Sequence, residues 1–173
     1  VVIGMIVSVY ILYNKEPFIA HYRKILYSIF SPERARRVMS ALRFTDKTFM
    51  GFISGKLLDS AIIGVLCYIG CAILKMPYAL LISVIVGVTN IIPFFGPFIG
   101  AVPSALLVLL VDPKMCLWFI IFVFVLQQLD GNVIGPKILG TSIGINGFWV
   151  LFSIVIFGGI FGFWGMLLGV PAF

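Results

Sequence analysis

Hydrophobic positions dominate this chain, and its longest uncharged stretch, residues 77–110, reads PYALLISVIVGVTNIIPFFGPFIGAVPSALLVLL, with no charged side chain between Lys75 and Asp112. A transmembrane helix needs about 20 apolar residues, so this stretch has room for two short passes back to back. Pro93 and Pro97 interrupt it, because proline removes a helix donor and disfavours helical geometry in the residue before it. A break is therefore predicted from Ile92 to Gly96, with Asn90 just ahead of it. Unpaired backbone at membrane depth is tolerated only where protein or a water-filled cavity satisfies it. A break inside the membrane lines a solute path; at the surface it is a tight turn between two spans. Both readings make 77–111 a hydrophobic helical hairpin, with Gly96, Gly100 and Pro103 on its second arm.

The flanking pattern predicts further helices. Residues 1–13 form the tail of an apolar helix that ends at Asn14, Lys15, Glu16 and Pro17. In 18–30, Ile19, Tyr22, Ile25, Leu26 and Ile29 interleave with His21, Arg23 and Lys24, the pattern of a short helix lying at a membrane interface. His21, the only histidine, reads as a surface residue. Ser31, Pro32 and Glu33 make a helix start: a capping hydroxyl, a proline at the first position and a carboxylate in the first turn. The helix that follows sets Ala35, Val38, Leu42, Phe49 and Phe52 on one side and Arg36, Ser40, Arg43 and Lys47 on another. It continues through Gly51 and Gly55 towards a span at 57–74. Asp59 lies near the start of that span, with Lys56 close enough to pair with it. It reads either as the interfacial end of the span or as a functional ionisable group within it.

Beyond the hairpin, Asp112, Pro113 and Lys114 mark a polar turn, and 115–126 re-enters the membrane before meeting Gln127, Gln128, Leu129, Asp130, Gly131 and Asn132. Gln127 and Asp130 share a helical face, with Gln128 beside them. Such a cluster either faces an internal cavity or caps the helix at water. Together with Lys137 and the glycine-rich stretch bearing Thr141, Ser142 and Asn146, it forms a polar motif loop at 127–146. Residues 148–173 read as the last span; Gly158 and Gly162, then Gly165 and Gly169, have the spacing that lets helix backbones touch.

Composition sharpens the class. The chain is 62% hydrophobic and 10% charged, against about 25% charged in an average soluble domain, so the fold class is an all-α polytopic membrane protein with a proline-broken helical hairpin. The net charge of +6 could suggest nucleic acid, but nine of the twelve basic residues fall at 14–56, between the first two apolar runs. That is a positive-inside signal: 14–56 is expected to be cytoplasmic, its basic amphipathic helices facing lipid headgroups rather than nucleic acid. Cys67, Cys71 and Cys116 lie in apolar runs without further ligands nearby and read as small buried hydrophobes, so no metal or cofactor is expected. No HExxH or P-loop occurs and the sole histidine lies in the basic segment, which argues against an enzyme and against ATP-driven transport by this chain itself. Both ends fall in apolar runs, so 1–173 is expected to be one membrane domain from a longer polytopic protein.

Three stretches, the hairpin with its NxxPxxGPxxGxxP pattern, QQLDGNVIGPKILGTSIGIN, and GGIFGFWGMLLGVPAF, resemble in order and spacing the AI-2E family of prokaryotic membrane proteins, also called PerM-type permeases. The resemblance covers nearly the whole chain and matches the family's C-terminal half. It implies a plasma-membrane transporter that forms homo-oligomers, in a family whose members are assigned export of the quorum-sensing signal autoinducer-2 or, in some cases, sodium/proton exchange. The motif positions are Asn90, Pro93, Gly96, Pro97, Gly100 and Pro103, then Gln127, Gln128, Asp130, Gly131, Asn132, Pro136 and Lys137, with Asp130 where many members carry glutamate. The expected substrate or ion path comprises Asn90, Pro93, Gly96, Pro97, Gln127, Gln128, Asp130, Asn132 and Lys137. The expected function is secondary export of a small polar solute such as autoinducer-2; the alternatives are a monovalent cation/proton antiporter and a non-transporting scaffold that acts through its amphipathic helices.

Overall fold

The computed structural model describes residues 2–139 and 147–173, and the regular structure within them is helical throughout. The helices are α1 (Val2–Tyr13), α2 (Lys15–Ile29), α3 (Pro32–Ile73), α4 (Ala79–Thr89), α5 (Gly96–Leu109), α6 (Pro113–Leu129), α7 (Gly135–Leu139) and α8 (Gly147–Ala172), with a π turn at Asp130–Ile134 between α6 and α7. The chain is thus an all-α polytopic membrane protein. Of the polar stretch read as a loop at 127–146, residues 127–139 are helical. Thr141, Ser142 and Asn146 lie outside the described residues.

Two compact units divide the chain, Val1–Asp46 and Lys47–Phe173. Within the first, α3 starts at Pro32, where the Ala35 N–H bonds to the Ser31 carbonyl at 2.9 Å. Helix α2 buries Leu26 but leaves Ile19, Tyr22 and Ile25 exposed, alongside the exposed basic residues Arg23 and Lys24. His21 sits on the surface, its Nδ1 2.7 Å from the Pro17 carbonyl oxygen of its own helix.

The second unit is built around Ile63, Cys67 and Cys71 of α3, Ile82 and Val86 of α4, Val108 of α5, and Cys116, Phe119, Val123 and Leu126 of α6. The three cysteines are free and buried, small apolar members of this core. Helices α3 and α4 meet where two glycines face each other. A Cβ on Gly87 would come 2.9 Å from the Gly64 Cα, so only glycine permits this approach.

Helix α4 has 11 residues and α5 has 14, about 16 and 21 Å at 1.5 Å per residue, against a hydrocarbon thickness of about 30 Å. They fold into a tight hairpin in which Gly96 and Gly100 pack on Thr89 and Val86. The turn between them is narrow: the Phe95 N–H bonds to the Pro93 carbonyl at 2.7 Å around Phe94, which sits at φ 62°. A γ-turn with positive φ at a phenylalanine is strained.

Three helices are long and apolar enough to cross a membrane by length and composition: Pro32–Ile73, Pro113–Ile138 and Phe148–Ala172. The third is not a straight rod. Gly162 has φ 60° and ψ −139°, a conformation essentially reserved for glycine, and the chain reverses there. Trp149 stacks on Phe173 with ring centroids 5.4 Å apart, although a straight helix would separate them by about 36 Å. The single last span read at 148–173 is therefore two short arms folded against each other, and Gly169 serves this self-packing, since a Cβ there would lie 2.9 Å from the Phe157 Cβ. Ile154 and Val170, one from each arm, join Phe52 of α3 in a second small core.

Candidate functional site

Near the start of its apolar half, α3 carries Lys56 and Asp59, one helical turn apart. Lys56 Nζ lies 2.6 Å from Asp59 Oδ2, and both side chains are buried, Lys56 at 7% and Asp59 at 0% exposure. A buried ion pair tolerates desolvation only when its remaining polar atoms are also satisfied. The further partner comes from the hairpin: Asn90, which caps the end of α4 and is 1% exposed, donates from Nδ2 to Asp59 Oδ2 at 3.2 Å.

The same Asn90 Nδ2 lies 3.5 Å from Asp130 Oδ2, at the long limit of a hydrogen bond. Asp130 ends α6 and opens the π turn, and it is buried at 8% exposure. The Gly135 N–H reaches back five residues to the Asp130 carbonyl, so the backbone stays bonded through the register change. Such π insertions are frequent at functional sites. One amide nitrogen thus links two carboxylates brought from α3 and α6. Placing the Asn90 nitrogen towards them is the only favourable orientation, since its oxygen would face two acceptors.

The cluster is incompletely satisfied. Asp59 Oδ1, Asp130 Oδ1, Asn90 Oδ1, Ser60 Oγ and Gln127 Nε2 are buried without a protein partner. Two carboxylates stand against one ammonium, so with both ionised one negative charge is left over. Among the described residues no group of three or more His, Cys, Asp or Glu side chains is placed to hold a metal.

Lys56, Asp59, Gln127, Gln128 and Asp130 line one cavity of about 1130 Å³, whose remaining walls are mostly apolar: Pro93 and Phe94 in the hairpin turn, Pro97, Phe98, Ala101, Val102 and Ala105 along α5, and Phe119, Ile120, Val123 and Phe124 along α6. Asn90 is not in the wall; it holds the wall's two carboxylates together. Of the residues expected to form the path, Pro93, Pro97, Gln127, Gln128 and Asp130 line the cavity. Gly96 is buried against Thr89 inside the hairpin. Asn132 is exposed and donates to the Gln128 backbone and side-chain oxygens at 2.8 and 3.0 Å, and Lys137 is exposed on α7; neither lines the cavity. Lys56 belongs to the site although sequence reasoning gave it only a pairing role, and Asp59 although its position near the end of the span favoured a plain interfacial residue. The available signal was a Lys-x-x-Asp pair entering an uncharged run.

The family profile described as "AI-2E family transporter" matches residues 1–173. Relatives include "Putative transport protein YrrI" of Bacillus subtilis (strain 168), 39% identical over 143 residues, covering 82% of this chain and 40% of that one. "Putative transport protein sll0063" of Synechocystis sp. is 35% identical over 142 residues, with 82% of this chain and 35% of that one covered. "Putative permease PerM" of Escherichia coli (strain K12) is 25% identical over 165 residues, with 94% and 45% covered. No solved structure matches the chain. The chain spans less than half the length of these relatives. Matched along its full length by one transporter-family profile, the chain belongs to the AI-2E transporter family.

Proposed function

We propose that the full-length protein is a secondary transporter of the prokaryotic plasma membrane and that the Asp59, Asn90 and Asp130 cluster, with Lys56, is where it engages its cargo. The observation that carries this reading is the pair of orphan carboxylate oxygens, Asp59 Oδ1 and Asp130 Oδ1, in residues that line an open cavity. Buried unpaired acceptors are costly in a purely structural cluster and useful where a donor arrives from outside. A hydroxylated solute such as autoinducer-2 supplies such donors, which supports an export role in quorum sensing. The broken hairpin beside the cluster resembles the discontinuous helices with which carriers expose backbone to cargo.

Exchange of a monovalent cation for a proton is the second reading, favoured by the uncompensated negative charge. In both, the basic segment 14–56 faces the cytoplasm and the protein works as a homo-oligomer. The test is flux of autoinducer-2, sodium or protons in proteoliposomes of the full-length protein, wild type against Asp130→Asn. Loss of flux in a folded variant supports the assignment. Unchanged flux overturns it. A phenotype that instead depends on Arg36 or Arg43 would favour the non-transporting scaffold.

A further inference from the structure

The cavity is far larger than a small polar solute or a bare ion requires. At about 30 Å³ per water, 1130 Å³ holds nearly forty waters, beyond the usual upper size of a drug-sized site. Its polarity is also segregated. The charged and amide groups come from α3 and the end of α6, whereas the α5 wall, including Phe98 and Val102, carries no charge. Within the polar part the needs are unequal. Asp59 already has an ammonium from Lys56, whereas Asp130 has a 3.5 Å amide contact on Oδ2, the neighbouring Asp59 carboxyl beside it, and no hydrogen-bond partner on Oδ1.

Resting on the transporter reading, we propose that this cavity binds an amphiphilic organic cation, a primary ammonium head paired with Asp130 and an apolar body laid along α5 and α6. The head neutralises the charge left over when both carboxylates are ionised and pairs with the Asp130 carboxylate at the cavity wall. The body covers apolar wall that water wets poorly, including the side chains of Phe98 and Phe124. Lys56 on Asp59 is the internal precedent: an ammonium on a four-carbon stem, already held by the same cluster.

The test is calorimetric titration of the full-length protein in lipid nanodiscs, with empty discs subtracted, using ammonium, n-butylammonium, n-hexylammonium, n-octylammonium and neutral n-hexanol. Affinity is expected to rise about four-fold per added methylene, the factor for burying one CH₂. Asp130→Asn should weaken n-hexylammonium by about ten-fold or more, the scale of losing one charge-assisted hydrogen bond, and leave n-hexanol unchanged. Lys56→Gln should tighten n-hexylammonium by removing the internal competitor, and Phe98→Ala should flatten the chain-length dependence. Thermal melts of each variant confirm folding. Ammonium binding as well as n-hexylammonium indicates a bare-ion site and overturns the proposal. So does n-hexanol binding equally, or no probe binding because other parts of the full-length protein fill the cavity. Flux lost in Asp130→Asn without alkylammonium binding sinks this inference alone; Asp130-dependent binding with unchanged flux supports the cation site and sinks the transport path.

Discussion

At the residue scale, Lys56 and Asp59 form a buried pair whose value depends on both members being present. Removing one strands the other's charge, at about 3 to 5 kcal/mol, whereas replacing both with apolar residues of similar volume is often neutral. Lys56→Met alone is therefore expected to lower the melting temperature more than the double variant Lys56→Met/Asp59→Leu, read by thermal denaturation in detergent. A single variant as stable as wild type would mean the pair is solvated. Phe94 offers the opposite sign. Held at φ 62°, it pays the strain of the hairpin turn, and Phe94→Gly is expected to stabilise the fold by about 1 kcal/mol while removing a ring from the cavity wall. The local signals here were partly legible. Asp130, Gln127 and Gln128 stand out because they end an apolar run, and Asn90 because it precedes Pro93. Asp59 read ambiguously, since nothing along α3 reveals that Asn90, 31 residues away, completes its bonding.

At the scale of elements, the break between α4 and α5 was readable from Pro93 and Pro97, two prolines four residues apart that together disfavour continuous helix, although Pro103 alone is accommodated inside α5. The reversal of α8 was not. Gly158, Gly162, Gly165 and Gly169 look alike in sequence, and only the backbone singles out Gly162 as the turn while Gly169 packs against Phe157. Gly162→Ala is expected to cost about 1 to 3 kcal/mol, because alanine cannot hold that φ and ψ without strain. Spin labels at 149 and 173 would report it: short distances in wild type, broadened or longer ones in the variant. An unchanged distance distribution and melting temperature would show the turn to be set elsewhere. The segment after Asp130 misled in the other direction. Gly131, Gly135 and Pro136 signal a loop, yet the helix passes through them because the Gly135 N–H shifts register to the Asp130 carbonyl and Pro136 falls in the first turn of α7, where its missing donor costs little.

For the molecule as a whole, membrane character follows from composition, since so few charges cannot solvate a soluble surface, and several spans follow from the succession of apolar runs. What composition could not supply is the meeting of α3, α4 and α6 at one charge cluster. Each contributes a single ordinary polar residue or pair, brought together because Gly64 packs on Gly87, Gly100 packs on Val86, and α6 packs on α5, where Cys116 Sγ donates to the Ala105 carbonyl. A charge held inside a membrane also responds to voltage, at about 2.3 kcal/mol per elementary charge per 100 mV for a full crossing. With a monocation bound, the cluster of Lys56, Asp59 and Asp130 would be electrically neutral and could change its access from one side to the other without moving net charge; empty, it would carry one negative charge. On the proposed carrier function, membrane potential should therefore act on the return of the unloaded protein and leave the loaded step almost untouched. Current transients recorded on solid-supported membranes should be voltage-dependent without cargo and nearly voltage-independent at saturating cargo.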